Sequence, residues 1–138
     1  MQFSDTFLTF NLYNKNGYIT KDHKYHIHQN PPNVLDVSGT SYTVDCSTTG
    51  PHYNPYNVSV VQPMYEQECK GDFMERCEVG DLNGKHGLYE VGRTRKQFID
   101  TNLKLYGPQS IFGRSLVVHG EEKQKTYIAC SKLERFIY

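Results

Sequence analysis

The apolar positions of this chain fall in short runs rich in β-branched and aromatic residues, and no segment keeps a helical period over three turns. Turn signals separate the runs: Asn16-Gly17, Pro31-Pro32, Gly50-Pro51 and Asn54-Pro55. The pattern predicts strands over 7–13, 24–29, 41–44, 88–91, 98–105, 113–119 and 126–137. Many short strands with irregular connections predict an all-β domain, a Greek-key sandwich or barrel. Residues 53–79 stand apart as a long polar stretch with two prolines and two cysteines, Cys69 and Cys77, able to pin it. Loops of that length in compact domains are usually functional or covalently tethered. There is no internal repeat and no low-complexity tract.

Composition narrows the class. With 138 residues the chain has the size of one ordinary domain and is read as a single unit over 1–138. Its 37% apolar and 13% aromatic content, with charge interspersed, describes a globular protein rather than a disordered one. No run approaches the roughly 18 apolar residues of a membrane span. Basic and acidic residues balance at 15 each, which disfavours nucleic acid and anionic lipid as partners. The opening Met1-Gln2-Phe3-Ser4-Asp5 has neither the basic nor the apolar region of a secretory signal. Four cysteines in a small domain nonetheless predict two disulfides and an oxidising compartment. Asn57-Val58-Ser59 is in addition a glycosylation sequon. If secreted, the chain is expected to be a mature or excised piece.

The histidines carry the candidate chemistry. In Tyr25-His26-Ile27-His28-Gln29, strand geometry sends His26 and His28 to one face, close enough to share a metal. His52 sits in Thr49-Gly50-Pro51-His52-Tyr53-Asn54-Pro55, whose glycine and prolines restrict the backbone around it. His119 closes the apolar strand Ser115-Leu116-Val117-Val118. Four neutral imidazoles suit copper, zinc, nickel or iron, and a nitrogen-only set near a plane favours copper(II). Chemistry alone leaves zinc open.

Five motifs occur in order along residues 23–130: His23-Lys24-Tyr25-His26-Ile27-His28, Cys46-Ser47-Thr48-Thr49-Gly50-Pro51-His52-Tyr53-Asn54-Pro55, Val79-Gly80-Asp81-Leu82, Gly113-Arg114-Ser115-Leu116-Val117-Val118-His119 and Ala129-Cys130. Through them the chain resembles the copper-zinc superoxide dismutase family. The resemblance implies a Greek-key β-barrel with copper held by His26, His28, His52 and His119. It implies a Cys46–Cys130 disulfide, which of the three connectivities of four cysteines leaves Cys69 with Cys77. His23 becomes the family's structural histidine beside the copper site. His52 becomes the catalytic histidine, which leaves reduced copper and carries a proton while superoxide is converted to dioxygen and hydrogen peroxide.

Departures from the family pattern refine that reading. The family's zinc is held by the bridging histidine, two further histidines and an aspartate. Here no histidine lies between Tyr53 and Lys85, and Glu78 stands where a ligand histidine is expected. Only Asp81 survives beside His52, too little for a closed tetrahedral zinc site. The run Cys77-Glu78-Val79-Gly80-Asp81 resembles the copper-only branch, in which the glutamate orients the would-be bridging histidine, so Glu78 is expected against His52. His86 matches no family ligand and is expected to be structural or exposed. The span from His119 to Cys130 lacks the family's long charged loop, so the copper is expected to be open to solvent. Tyr127 stands where the family has the arginine that docks superoxide, leaving Lys123 and Lys125 as nearby positive charge without a guanidinium fork. Fewer residues precede His26 than in the family, by about one hairpin. Either a neighbouring domain or chain supplies that hairpin, or the sandwich is left open at an edge that invites pairing between copies.

Two functions follow. The first is a copper-only, extracellular superoxide dismutase. The second is a non-catalytic copper-binding domain of an extracellular repeat protein, kept in play by Tyr127. The partners implied are superoxide and either neighbouring repeat domains or a second copy.

Overall fold

The computed structural model describes residues 5–92, 95–121 and 126–135. Along these the strands are β1 (Thr6–Phe10), β2 (Thr20–His23), β3 (Tyr25–His28), β4 (Asn33–Ser38), β5 (Ser41–Asp45), β6 (Tyr89–Val91), β7 (Lys96–Asp100), β8 (Ser115–His119) and β9 (Tyr127–Lys132). Two five-residue helices, α1 (Met64–Glu68) and α2 (Leu82–His86), lie between β5 and β6. The pairings of these strands are antiparallel: β1 with β7, β2 with β6, β3 with β8, β8 with β9, and β4 with β5. β2 and β3 are separated by Lys24 alone, so the chain runs directly from the β2–β6 pair into the β3–β8–β9 sheet. This is the Greek-key β-barrel architecture anticipated from the strand pattern.

The core explains why β3 is central. Tyr25, Ile27, Tyr89, Val91, Leu82 and Leu103 pack together with almost no exposed surface. Tyr25 and Ile27 supply the inward face of β3, and the register Tyr25↔Val118 and Ile27↔Leu116 brings apolar β8 residues beside them. β2 was not legible in the sequence because Thr20-Lys21-Asp22-His23 has no apolar alternation; pairing with β6 makes it a strand. β4 was also missed, and every one of its residues is exposed. The strand expected over 98–105 starts at Lys96 and stops at Asp100. There the Asp100 Oδ1 accepts hydrogen bonds from the backbone N–H groups of Asn102 and Leu103 at 2.9 and 3.1 Å, turning the chain. The strand expected over 126–137 stops at Lys132, residues 133–135 being outside any strand, and its last two positions, 136 and 137, lie outside the described residues.

Two disulfides pin this frame. Cys46–Cys130 closes 84 residues and ties the turn before His52 to β9. Cys69–Cys77 closes 8 residues across the long loop, joining the end of α1 to the residue before Glu78.

Candidate metal centre

β3 turns His26 and His28 away from the core that Tyr25 and Ile27 enter, with the two rings 5.9 Å apart. The segment carrying His52 lies against β3 through two backbone hydrogen bonds that make an antiparallel bridge. Gln29 N–H donates to Pro51 C=O at 2.9 Å and Tyr53 N–H donates to Ile27 C=O at 2.8 Å, which sets His28 opposite His52. His119 ends β8 and is fixed by its own N–H donating to Lys24 C=O at 2.9 Å. The His26 ring stacks 3.8 Å from His52 and lies 5.1 Å from His119. One ring nitrogen from each of His26, His28, His52 and His119 falls within 4.8 Å of the others. Opposite nitrogens bound to one ion at 2.0–2.1 Å would be about 4 Å apart, so the cluster is close to a shared coordination sphere.

Hydrogen bonds decide which nitrogen His28 and His52 present. His28 Nδ1 lies 2.7 Å from the Gly50 carbonyl, which can only accept, so Nδ1 holds the proton and Nε2 a lone pair. His52 Nδ1 donates to Glu78 Oε1 at 3.0 Å, again freeing Nε2. At His26 the open nitrogen is Nδ1, buried without a partner, while Nε2 faces Asp81 Oδ1 at 3.9 Å, beyond hydrogen-bond reach. His26 Nδ1, His28 Nε2 and His119 Nε2 are buried and have no hydrogen-bond partner. Leaving such atoms unpaired costs on the order of 1–3 kcal/mol each, and a metal ion removes that cost. These residues therefore fit a nitrogen-coordinated metal. Burial pushes the pKa of His26 far down, with the neighbouring His52, His119 and His28 adding to it. Burial also lowers His28 and brings His119 to about 4, the other rings contributing. All three stay neutral at neutral pH, the state in which imidazole binds metal.

A second layer stands behind the rings. Residues 78–81 cross β3, with Ile27 N–H donating to Gly80 C=O and Gly80 N–H to Tyr53 C=O, both at 2.8 Å. A β-carbon on Gly80 would collide with the Ile27 carbonyl oxygen, so only glycine permits the crossing. The crossing sets Glu78 against His52 and pairs Asp81 with His26. The Tyr65 hydroxyl donates to Asp81 Oδ2 at 2.6 Å and accepts from the Glu78 N–H at 3.0 Å. The ammonium of Lys85, wholly buried, donates to Val79 C=O at 2.8 Å, Asn102 Oδ1 at 2.6 Å and Asp100 Oδ2 at 2.8 Å. A cavity of about 680 Å³ opens beside the cluster, lined by Lys24, His26, His52, Tyr65, Glu78 and Asp81 among others.

The sequence model of the family described as copper/zinc superoxide dismutase (SODC) matches residues 5–132. The chain belongs to that family. It is 35% identical over 112 residues to cell surface superoxide dismutase [Cu-Zn] 6 of Candida albicans, covering 80% of this chain and 30% of that protein. To the extracellular superoxide dismutase [Cu-Zn] of Brugia pahangi it is 35% identical over 100 residues, 72% of this chain and 41% of the relative. It thus spans between about a third and a half of the curated relatives it matches. Among solved structures, a mutant of superoxide dismutase 5 of Candida albicans superposes with a TM-score of 0.69 at 22% identity, covering all of this chain and 78% of that one. The copper(II) form of that protein gives 0.64 at 24% identity, covering 96% of this chain and 74% of that one.

The remaining family positions fall as follows. His23 is buried between β2 and His119, its Nδ1 2.7 Å from the His119 carbonyl oxygen and its Nε2 2.7 Å from Thr20 Oγ1. It braces the end of β8. Tyr127, at the family's arginine position, places its ring 5.2 Å from that of His119 and is 42% exposed. Lys123 and Lys125 lie outside the described residues. His86 is structural: it shares Asp100 Oδ2 at 2.7 Å and stacks 3.7 Å from Phe98. Sequence reasoning passed over Tyr65 and Lys85. Tyr65 lies in a stretch without periodicity, and the lysine of Asn83-Gly84-Lys85 reads as a surface residue until its carboxylate partner, 15 residues on, is brought beneath it.

Proposed function

We propose that the chain is a copper-only superoxide dismutase, with copper held by His26 Nδ1, His28 Nε2, His52 Nε2 and His119 Nε2. The observation that carries this reading is the convergence of four imidazoles, three of them with buried nitrogens that have no protein partner. Copper there would supply one-electron redox chemistry, so that two superoxide anions and two protons become dioxygen and hydrogen peroxide. The protein's share is orientation and proton handling. Glu78 holds the Nδ1 proton of His52 and fixes the ring. His52 Nε2 takes up and returns a proton in each cycle, which its partly exposed side chain permits. Asp81 backs His26, and His23 holds the backbone that carries His119.

A zinc-free site is supported by where the remaining donors point. His52 Nδ1, the nitrogen a second metal would share, is occupied by Glu78. Asp81 Oδ2 accepts from Tyr65, and its Oδ1 accepts from the Gly84 N–H at 2.9 Å. A secreted setting is supported by the two disulfides and by relatives named as cell-surface and extracellular. The substrate is superoxide, and the described fold is one copper domain, working alone or beside further domains.

The experiment is the disproportionation rate of the copper-loaded chain against His119→Ala and against free copper, with copper and zinc quantified in each sample. One copper per chain, no zinc and a rate far above both controls is the expected result. Stoichiometric copper with no rate above the His119→Ala control would make this a copper-binding module instead.

A further inference from the structure

The two carboxylates behind the histidine cluster are not independent. Glu78 holds His52, Asp81 faces His26, and a single oxygen atom touches both of their supports: Tyr65 Oη donates to Asp81 Oδ2 at 2.6 Å and accepts from the Glu78 backbone N–H at 3.0 Å. Tyr65 is 9% exposed and packs with Cys69, Cys77 and Val58 in an apolar cluster separate from the main core. Its backbone is fixed too: its N–H donates to Val61 C=O at 3.0 Å, and its C=O accepts from the Cys69 N–H at 2.8 Å. Cys69 is bonded to Cys77, the residue immediately before Glu78. One short covalent and hydrogen-bonded ring therefore runs from α1 through the disulfide to Glu78 and back through the tyrosine hydroxyl.

We propose that Tyr65 is the positioning residue of the metal centre, a clamp whose hydroxyl sets Glu78 and Asp81 together and through them the rings of His52 and His26. The hydroxyl is well suited to this. It is one donor and one acceptor at a fixed distance from a rigid ring, and both capacities are used. Burial and the contact with Asp81 push its pKa up, so it keeps the proton it donates. The remaining contacts of the two carboxylates are weaker anchors against motion: Asp81 has the Gly84 N–H, and Glu78 has His52 itself. Without the hydroxyl, Asp81 loses its shortest hydrogen bond and the Glu78 N–H loses its acceptor in a buried setting. The effect should reach the metal as a change in ligand orientation, the usual consequence of losing a partner one shell out. The inference rests on the proposed copper site.

The test is Tyr65→Phe in the full chain, beside the unaltered protein and Tyr56→Phe, a change at a half-exposed tyrosine outside this ring of contacts. Copper(II) affinity by chelator competition and the electron paramagnetic resonance spectrum are read at several pH values. We expect Tyr65→Phe to lower affinity by about 10- to 100-fold and to alter the copper hyperfine pattern, with Tyr56→Phe unchanged. A folded Tyr65→Phe protein with the native spectrum and affinity, but a lower melting temperature, would overturn the clamp and leave the copper site standing. Absence of four-nitrogen copper binding in the unaltered protein would overturn both. A second reading needs no variant: in the native chain the Tyr65 hydroxyl proton should appear as a slowly exchanging resonance coupled through space to the Glu78 N–H. Rapid exchange with water would refute the proposal even if Tyr65→Phe failed to fold.

Discussion

At the scale of single residues, the centre depends on what each imidazole does with its second nitrogen. A histidine whose other nitrogen is held by an acceptor presents a fixed lone pair, and here Gly50 C=O and the Glu78 carboxylate serve as two such acceptors. The carboxylate is the stronger of the two because the hydrogen bond is charge-assisted. Glu78→Ala should therefore weaken copper(II) binding by about 10- to 100-fold, read by competition with a chelator of known affinity. The variant should keep its fold, since Glu78, though buried, lines the cavity and belongs to neither apolar cluster. His26, His28, His52 and His119 were each identifiable in the sequence. Their tautomers were not: nothing in the sequence marks the Gly50 carbonyl, 22 residues from His28, as its acceptor, and although Glu78 was expected against His52, which ring nitrogen it holds is set by the fold.

At the scale of elements, the loop that carries Glu78 and Asp81 owes its shape to α2. Lys85, on the last turn of α2, spends all three ammonium protons on Val79 C=O, Asn102 Oδ1 and Asp100 Oδ2, tying the loop to the end of β7. Burial pulls the Lys85 pKa down while Asp100 opposes it. Burial alone would raise Asp100, but His86 and Lys85 outweigh it and hold the carboxylate below its usual range. Lys85→Met would leave that carboxylate buried without its ammonium partner, a loss of about 3–5 kcal/mol. Urea denaturation of the disulfide-intact variant should show a midpoint lowered to match, with the slope unchanged. The strands themselves were read well where apolar residues alternate and poorly at β2 and β4, where polar or exposed residues are strands only because a partner pairs with them.

At the scale of the whole molecule, one long-range closure holds the centre in one piece. Cys46–Cys130 closes 84 residues, which in the chain-entropy model stabilises by roughly 4 to 5 kcal/mol. The metal-free protein carries a built-in acid weakness. His26, His28 and His119 are buried neutral among one another, with folded pKa values below the unfolded value of about 6.5. Below that value the unfolded chain binds more protons than the folded one, so stability is lost as pH falls. For His119 the loss continues down to its folded value of about 4. The metal-free urea midpoint should thus decline steadily between about pH 6.5 and pH 4. Bound copper should raise it most at neutral pH, where the rings need shed no proton. A flat midpoint over that range would mean that the rings are solvated and protonate freely in the folded state.

The sequence by itself determined the chemistry and its carriers: an all-β frame from alternating short runs, two disulfides' worth of cysteine, four histidines in motifs shared with one family, and a glutamate where a metal ligand would stand. Those are local properties of residue type and spacing, and they survive in one dimension. Only the tertiary structure decided which nitrogens face the metal, that one tyrosine hydroxyl joins the supports of two of the rings, and that a lysine of apparently solvated sequence is the buried post beneath the loop. Each of these is a pairing between groups distant along the chain. A buried polar atom takes its role from whatever partner the fold brings within about 3 Å of it, and no pattern within its own segment records that partner.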